Sequence, residues 1–185
     1  WDGRIYALDI SSQDTLWTKR TYETQPYPTF GQVNTHMMVY DSLLLFGARN
    51  PTVQAINKNN GNLVWEYTVP GGGWISGDPL VLNDTMYIGG SDCNRFFAFN
   101  AYTGEMYWSY TFLYNNFSKP LICENFIVFT TGNAYAYQGT NYGIGYLYAL
   151  NKSHGEIHNF FQVGGNLFTN PTFKDNKIYV GSSDK

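Results

Sequence analysis

Charged residues are scarce in this sequence, and its few cationic residues are scattered along the chain. Charged side chains make up 14% of the residues and the net charge is −3. No window gathers the lysines and arginines that would neutralise a phosphate backbone. The sequence therefore argues against nucleic-acid binding.

Cysteines and long apolar runs are also lacking. Cys93 and Cys123 are the only cysteines, and they form neither a disulfide framework nor a zinc-type C-x-x-C pair, so the redox compartment stays open. No run approaches the roughly 18 apolar residues that span a bilayer. The chain starts at Trp1-Asp2-Gly3, without an initiator methionine or a signal-like pattern. We therefore expect a processed, excised or partial chain.

Motifs of hydrolases and nucleotide-binding proteins are absent as well, since the chain has no G-x-S-x-G, P-loop or H-E-x-x-H. Aromatic residues and glycine, in contrast, are abundant: 16 Tyr, 13 Phe and 19 Gly. Aromatic rings suit a pleated, half-buried surface, and glycine supplies positive φ at tight turns. This composition predicts an all-β fold.

A short pattern recurs four times along the chain. It reads A-x-(D/N)-x-x-x-G-x-x-x-W and begins at Ala7, Ala55, Ala98 and Ala149, at intervals of 43 to 51 residues. The first copy has Gln13 in place of the glycine, and the last has Asn159 in place of the tryptophan. This period matches a four-stranded propeller blade of roughly 40 to 50 residues.

Each part of the pattern has a predicted structural role. The alternating run before it indicates a buried strand, with a small alanine where neighbouring sheets approach closely. The Asp or Asn and the Gly indicate a hairpin in which glycine takes a positive φ. Trp17, Trp65 and Trp108 are predicted to pack between adjacent blades, each indole N–H finding a carbonyl.

A second element precedes the pattern and contains a proline followed by a turn and a run ending in Y-x-G. Pro79, Pro120 and Pro171 open this element, and turn dipeptides such as Asn83-Asp84 divide it. Proline is tolerated at the first residue of a strand because no central ladder bond is lost there. The element therefore predicts the two inner strands of a blade.

Together the two elements resemble the pyrroloquinoline quinone (PQQ) enzyme repeat over nearly the whole chain. That repeat occurs in quinoprotein alcohol dehydrogenases and in the lipoprotein scaffold of the bacterial outer-membrane assembly machine. The resemblance implies a β-propeller of four-stranded antiparallel blades, about four of them in this chain. It implies no single function, because the repeat marks packing.

Residues 1–185 are expected to form a single propeller region, whose two ends complement each other. Three blades are expected near residues 34–70, 74–113 and 116–163, and a fourth would combine 165–185 with 1–21, a closure that protects strand edges. Three interpretations stay open: half of an eight-bladed ring completed by a second copy, a fragment of a longer polypeptide, or a small self-closed ring.

Two loops are candidate binding sites because loops on rigid scaffolds often bind ligands. The first is an insertion at Gly132–Gly143 that contains Tyr135, Tyr137 and Tyr142; the second is Trp74, which follows three glycines. The alternatives are a tolerated, decorated turn for the insertion and a blade linker with a packed indole for Trp74.

Thr131-Gly132-Asn133 resembles the Thr-Gly-Asn segment of quinoprotein dehydrogenases. The resemblance implies that Asn133 helps to hold calcium against PQQ. Calcium needs six to eight oxygen ligands, so one Asn is not a site. The adjacent-cysteine pair of many such enzymes is absent, and no Asp or Glu is identified as a catalytic base.

The three histidines, His36, His154 and His158, are predicted to be solvent-exposed turn residues. Three sequons, at Asn83, Asn116 and Asn151, mark candidate glycosylation sites and favour an extracellular or periplasmic location.

The sequence favours a non-catalytic propeller that acts as a structural or binding scaffold, with other protein subunits or a second copy as partner and without a cofactor. The alternative from the enzyme class is a PQQ- and calcium-dependent oxidoreductase or a fragment of one. A carbohydrate-binding propeller is a third hypothesis, based on the abundant Tyr and Trp.

Overall fold

The computed structural model describes residues 3–21, 33, 35–134 and 143–184, and all regular structure within these residues is β-strand. The strands are β1 (Arg4–Leu8), β2 (Thr15–Arg20), β3 (Met38–Tyr40), β4 (Leu43–Ala48), β5 (Thr52–Asn57), β6 (Leu63–Thr68), β7 (Leu80–Leu82), β8 (Thr85–Gly89), β9 (Arg95–Asn100), β10 (Met106–Thr111), β11 (Leu121–Cys123), β12 (Phe126–Gly132), β13 (Gly145–Asn151), β14 (Ile157–Val163), β15 (Thr172–Lys174) and β16 (Lys177–Tyr179). Among the described residues, no helix is long and apolar enough to cross a membrane.

Three antiparallel sheets contain four strands each, in chain order. They are sheet A (β3–β6), sheet B (β7–β10) and sheet C (β11–β14). Two further pairs, the N-terminal hairpin (β1–β2) and the C-terminal hairpin (β15–β16), are separate two-stranded sheets. The predicted all-β propeller of four-stranded blades is confirmed as an open, partial propeller. Pairing of the two hairpins into one blade stays a prediction.

Aromatic and aliphatic side chains fill the spaces between neighbouring sheets. Val53 and Leu45 of sheet A pack with Phe97 of sheet B in one buried cluster. Between sheets B and C, Phe96 and Phe129 stack with ring centroids 4.2 Å apart. Such pairs add about 0.5–1.5 kcal/mol to the burial of their area. The core therefore lies between blades and fixes their order.

The repeated hairpin has the same backbone conformation in all four copies. Gly61, Gly104 and Gly155 have φ values of 73°, 73° and 74°, and Gln13, which replaces the glycine in the first copy, has a φ of 62°. A residue with a Cβ is strained in this left-handed region. The first copy therefore keeps the turn despite the substitution.

The three repeat tryptophans occupy equivalent places at the junctions between blades. Each indole N–H donates to a backbone carbonyl of the next blade: Trp17 to Lys58 at 3.0 Å, Trp65 to Ala101 at 2.9 Å and Trp108 to Lys152 at 3.2 Å. Each ring also covers the turn glycine of that blade, so that a Cβ on Gly61, Gly104 or Gly155 would lie 2.7, 2.6 or 2.4 Å from a ring atom. Glycine at this position therefore allows the indole to approach the turn backbone.

Candidate functional site

A small polar cavity opens where the first strands of the sheets begin. It has a volume of about 260 Å³ and is lined by His36, Arg49, Ser76, Asp78, Phe117 and Asn170. The repeat explains this convergence, because His36, Asp78, Lys119 and Asn170 each lie two residues before β3, β7, β11 and β15. Equivalent positions in successive blades face the same end of a propeller, and three of these residues, His36, Asp78 and Asn170, line the one cavity.

Asp78 is the buried acidic group of this cavity. Its carboxylate accepts the backbone N–H of His36 at 2.8 Å and contacts His36 Nδ1 at 2.7 Å. The side chain of His36 is 91% exposed, whereas that of Asp78 is 11% exposed. The pair therefore joins sheet A to sheet B and leaves the imidazole open to solvent.

A second bond of the same kind involves Asn170, whose Oδ1 accepts the backbone N–H of Lys119 at 2.7 Å. In both cases a side chain of one blade binds the backbone of the preceding blade. These polar groups thus connect blades as well as lining the cavity.

Trp74 lies beside this cavity through its contact with Arg49. The guanidinium of Arg49 lies 4.1 Å from the centre of the Trp74 ring. The carbonyl of Trp74 accepts the backbone N–H of Ser91 at 2.8 Å, which anchors the segment on sheet B. The indole is half-buried and holds a cation of the cavity wall in place.

Asn133 is surrounded by amide groups that already bind the backbone. Its N–H donates to Asn166 Oδ1 at 2.8 Å, and the neighbouring Ala134 N–H donates to Asn115 Oδ1 at 3.1 Å. Asn115 in turn donates to a carboxylate oxygen of Asp92 at 3.1 Å. Calcium takes six to eight oxygen ligands, usually with several carboxylates. The described side-chain oxygens around Asn133 are mostly amide oxygens that already accept backbone N–H groups, so they do not fit a calcium site that would hold PQQ.

No group of three or more His, Cys, Asp or Glu side chains that could hold a metal ion occurs in the part of the chain that the structure describes. The other predicted loop residues, Tyr135, Tyr137 and Tyr142, lie outside the described residues.

The three sequons differ in accessibility. Asn116 is fully buried, and its Nδ2 donates to Ser118 Oγ at 3.0 Å and to the Thr130 carbonyl at 2.8 Å. A glycan on Nδ2 is incompatible with these bonds, so this candidate site is wrong for the folded chain. Asn83 is exposed and Asn151 is half-buried.

The histidines are all exposed, but only His154 lies in a turn as predicted. His154 lies in a turn, 3.5 Å from Glu156, whereas His158 lies within β14 and stacks on Phe126 at 4.2 Å. His36 precedes β3 and pairs with Asp78. The turn prediction for His158 was wrong because the fourth strand of sheet C continues through it.

Comparison with known proteins gives the family. The family model described as outer membrane protein assembly factor BamB matches residues 1–141, more than half of the chain. The chain belongs to this family of PQQ-repeat propellers. The resemblance seen in the repeat is thereby confirmed.

Relatives within the PQQ-repeat group include enzymes and an assembly factor. The chain is 29% identical over 126 residues to a quinoprotein ethanol dehydrogenase of Pseudomonas aeruginosa, covering 60% of this chain and 20% of that protein. Its fold is similar to that of BamB from Moraxella catarrhalis (TM-score 0.54, 18% identity, 99% of this chain and 74% of that chain). It is also similar to quinohemoprotein alcohol dehydrogenase from Comamonas testosteroni (TM-score 0.66, 15% identity, 97% and 38%).

The aligned segment spans about a fifth of the curated quinoprotein relative. At these identities the structural likeness shows the propeller fold, which hosts unrelated functions.

Five of the six residues that line the cavity, including the charged Asp78 and Arg49, were not singled out from the sequence. The signal for Asp78 was present, since it holds the same place before a first strand as His36, Lys119 and Asn170. Aligning the repeats at that position shows one acid among two basic side chains and an amide. Arg49 follows β4 in a turn and has no comparable signal.

Proposed function

We propose that this chain is part of a non-catalytic propeller that serves as a structural or protein-binding scaffold in a larger assembly outside the cytoplasm. The observation that supports this proposal is a set of polar side chains that form hydrogen bonds between successive blades. They bind the backbone of a neighbouring blade and so join the blades into one frame.

Four such bonds tie successive blades together. In three of them a side-chain oxygen accepts a backbone N–H: Asp78 from His36, Asn170 from Lys119, and Asn166 from Asn133. In the fourth, Thr130 Oγ1 donates to the backbone carbonyl of Thr169 at 2.9 Å. Asp78, Asn166 and Thr130 are buried, and a buried polar group that loses its partner costs about 1–3 kcal/mol, whereas Asn170 is exposed. The three buried side chains are therefore held in one conformation by the fold. A rigid frame of this kind suits loops that bind a partner.

The family description adds weight to a role in assembly, since it names an outer membrane protein assembly factor. Other protein subunits are the partners that this role requires. Asn83 and Asn151 remain candidate glycosylation sites if the chain passes through a secretory pathway.

Titration of the purified chain with PQQ, calcium and an alcohol tests this proposal. We expect no alcohol oxidation and no red-shifted absorbance of bound quinone, while a quinoprotein alcohol dehydrogenase in the same assay is active. Alcohol oxidation by this chain would reject the scaffold proposal.

In a second experiment, chemical cross-linking in the native source should place the chain in a species larger than one or two copies. Migration only as an isolated chain would contradict an assembly role.

A PQQ-dependent oxidoreductase, or a fragment of one, is the second candidate, because the chain is 29% identical to part of a quinoprotein ethanol dehydrogenase. It requires Asn133 to contribute to PQQ or calcium binding. Under this alternative, Asn133→Ala would abolish quinone binding, whereas His154→Ala, an exposed turn variant, would not. Absence of PQQ binding by the unmodified chain at every calcium concentration would exclude it.

A further inference from the structure

We propose that a second pocket, between sheets B and C at the end of the blades where β7 and β13 finish, binds a neutral sugar ring. This B–C pocket lies at the opposite end of the first strands from the polar cavity, which opens where those strands begin. The inference goes beyond the proposed function, because it holds equally for a scaffold and for an enzyme.

The B–C pocket has the size of a small ligand site and an aromatic, polar wall. Its volume is about 310 Å³, and both blades that form it are complete four-stranded sheets. The residues that the argument below uses are Tyr87, Tyr107, Trp108, Asn83, Ser153 and Lys152. Ligand pockets have volumes of roughly 300–1,000 Å³. This pocket therefore suits a ligand, or a part of one, about the size of a single ring.

Comparison of two blade junctions shows why this space is open. Ser153 and Tyr102 hold the same place in their hairpins, two residues after the Asn of the repeat. Between sheets A and B, the ring of Tyr102 packs on Tyr40 with centroids 5.7 Å apart, and its hydroxyl lies 3.4 Å from Asp41 Oδ2. Between sheets B and C, the equivalent residues Ser153 and Leu82 bring no ring to this place. A ring-shaped ligand can therefore take the position that a tyrosine fills at the neighbouring junction.

The wall of the B–C pocket is aromatic and held by hydrogen bonds. Tyr87 and Trp108 both donate to the backbone carbonyl of Lys152, at 3.0 and 3.2 Å, and their ring centroids are 6.0 Å apart. Both rings are buried, whereas Tyr107 is 49% exposed and extends this wall to the surface. The equivalent residues of the other copies are Leu16, Val64 and His158. Tyr and Trp rings present an apolar face, on which the C–H face of a sugar packs.

Three polar groups of the B–C pocket are available to a ligand. The side chains of Asn83 and Ser153 are exposed, and neither forms a hydrogen bond to another residue in the described part of the chain. The hydroxyl of Tyr107 accepts from Asn100 Nδ2 at 2.8 Å, so its own hydrogen is left to donate. Amide and hydroxyl groups supply both donors and acceptors, which is what the hydroxyl groups of a sugar require.

The charge of the B–C pocket argues against an ionic ligand. Among the described residues that line it, Lys152 alone is charged, and its Nζ donates to the backbone carbonyl of Glu124 at 2.5 Å. A cationic ligand would be repelled by this ammonium, and an anionic one would compete with the bond that it already makes. A neutral ring that carries hydroxyl groups therefore fits the wall best.

Ligand-observed NMR with three saccharides tests this inference. Cellobiose, maltose and N,N′-diacetylchitobiose are each titrated into the full chain, produced without glycosylation. We expect saturable binding of at least one of them with a Kd of about 1 mM, the order expected when one ring of about a dozen heavy atoms is bound.

Two variants and a matched control locate the binding. Ser153→Tyr copies Tyr102 of the preceding blade, so it should fill the pocket and abolish the saccharide response without lowering the urea midpoint of unfolding. Tyr107→Ala should weaken binding at least about tenfold, because the exposed aromatic wall is lost. Val64→Ala is the control, since Val64 holds the same repeat position in sheet A and does not line this pocket. Its Kd should stay within about twofold of the unmodified chain.

Three results would overturn the inference. The first is the absence of a saturable response to all three saccharides. The second is unchanged binding by Ser153→Tyr, because the sugar would then lie elsewhere. The third is a glycan attached to Asn83 in the chain from its native source, since that glycan would occupy the pocket in place of a free saccharide. The titration with PQQ tests the scaffold separately, so failure of either proposal leaves the other standing.

Discussion

Substitution of Gly104 by alanine isolates the contact that holds two blades together. Gly104 has a φ of 73°, and an added Cβ would lie 2.6 Å from the ring of Trp65. Trp65 is 8% exposed and donates its indole N–H to Ala101 at 2.9 Å. The methyl group therefore forces either the turn or the indole to move, and the second movement breaks a buried hydrogen bond.

Two effects contribute to the loss of stability. A left-handed φ costs a residue with a Cβ roughly 1–2 kcal/mol. Overpacking of a well-filled junction costs about 1–3 kcal/mol more. Gly71→Ala separates the two, because Gly71 has a φ of 84° and a Cβ added there would meet no atom within 4 Å. We expect Gly71→Ala to show the first effect alone and Gly104→Ala to show both.

Urea denaturation followed by circular dichroism gives the free energy of unfolding of each variant. Gly104→Ala should be less stable than Gly71→Ala by about 1–3 kcal/mol. In a Trp65→Leu background, where the ring is gone, the difference should shrink. Equal destabilisation by the two alanines, with or without Trp65, would refute the view that the glycine is required by the indole.

Three further predictions concern single side chains. Gln13→Gly should raise the free energy of unfolding by up to about 1 kcal/mol in urea, because it relieves a φ of 62° at the cost of some unfolded-state entropy. Asp78→Ala should lower the free energy of unfolding by about 1–3 kcal/mol, because two hydrogen bonds to His36 are lost. His36→Ala changes an exposed side chain and should alter the free energy of unfolding by less than about 0.5 kcal/mol. The hydrogen bond to Asp84 raises the pKa of Tyr40 to about 12. The protonated phenol therefore stabilises the folded chain fully below pH about 10, and this stabilisation is lost as the pH rises through about 12. The free energy of unfolding, measured at a series of alkaline pH values, should show this loss, and the Tyr40→Phe variant should not.

The sequence predicted the blades because the repeat combines two local signals that agree. Strand alternation and turn glycines both follow from the chain alone, and Gly61, Gly104 and Gly155 have the positive φ that the pattern requires. The tryptophans could be assigned to blade junctions because a large apolar ring with one donor has few suitable places in a stack of sheets.

Other features depend on spatial relations between blades and could not be inferred from spacing. A β-bulge lies directly before each repeat tryptophan or its replacement. Val64, before Trp65, and Tyr107, before Trp108, are the extra residues of two such bulges. The bulge turns the tryptophan side chain toward the next sheet. The burial of Asn116 has a similar origin, since its side chain fills the space that Gly77 and Gly89 leave in the neighbouring blade. A sequon gives no indication of that packing.

The same repeat also shows which equivalent positions differ between the blades. Two residues before each first strand, the position is equivalent in every blade, yet the side chains are His36, Asp78, Lys119 and Asn170. At the junction positions, in contrast, the indole and the glycine recur, and they deviate only at Asn159 and Gln13. Packing therefore determines the junction residues, whereas the four residues before the first strands differ in charge from blade to blade. Any specificity of this propeller is best sought at those four positions, where the side chains differ most between blades that share one backbone plan.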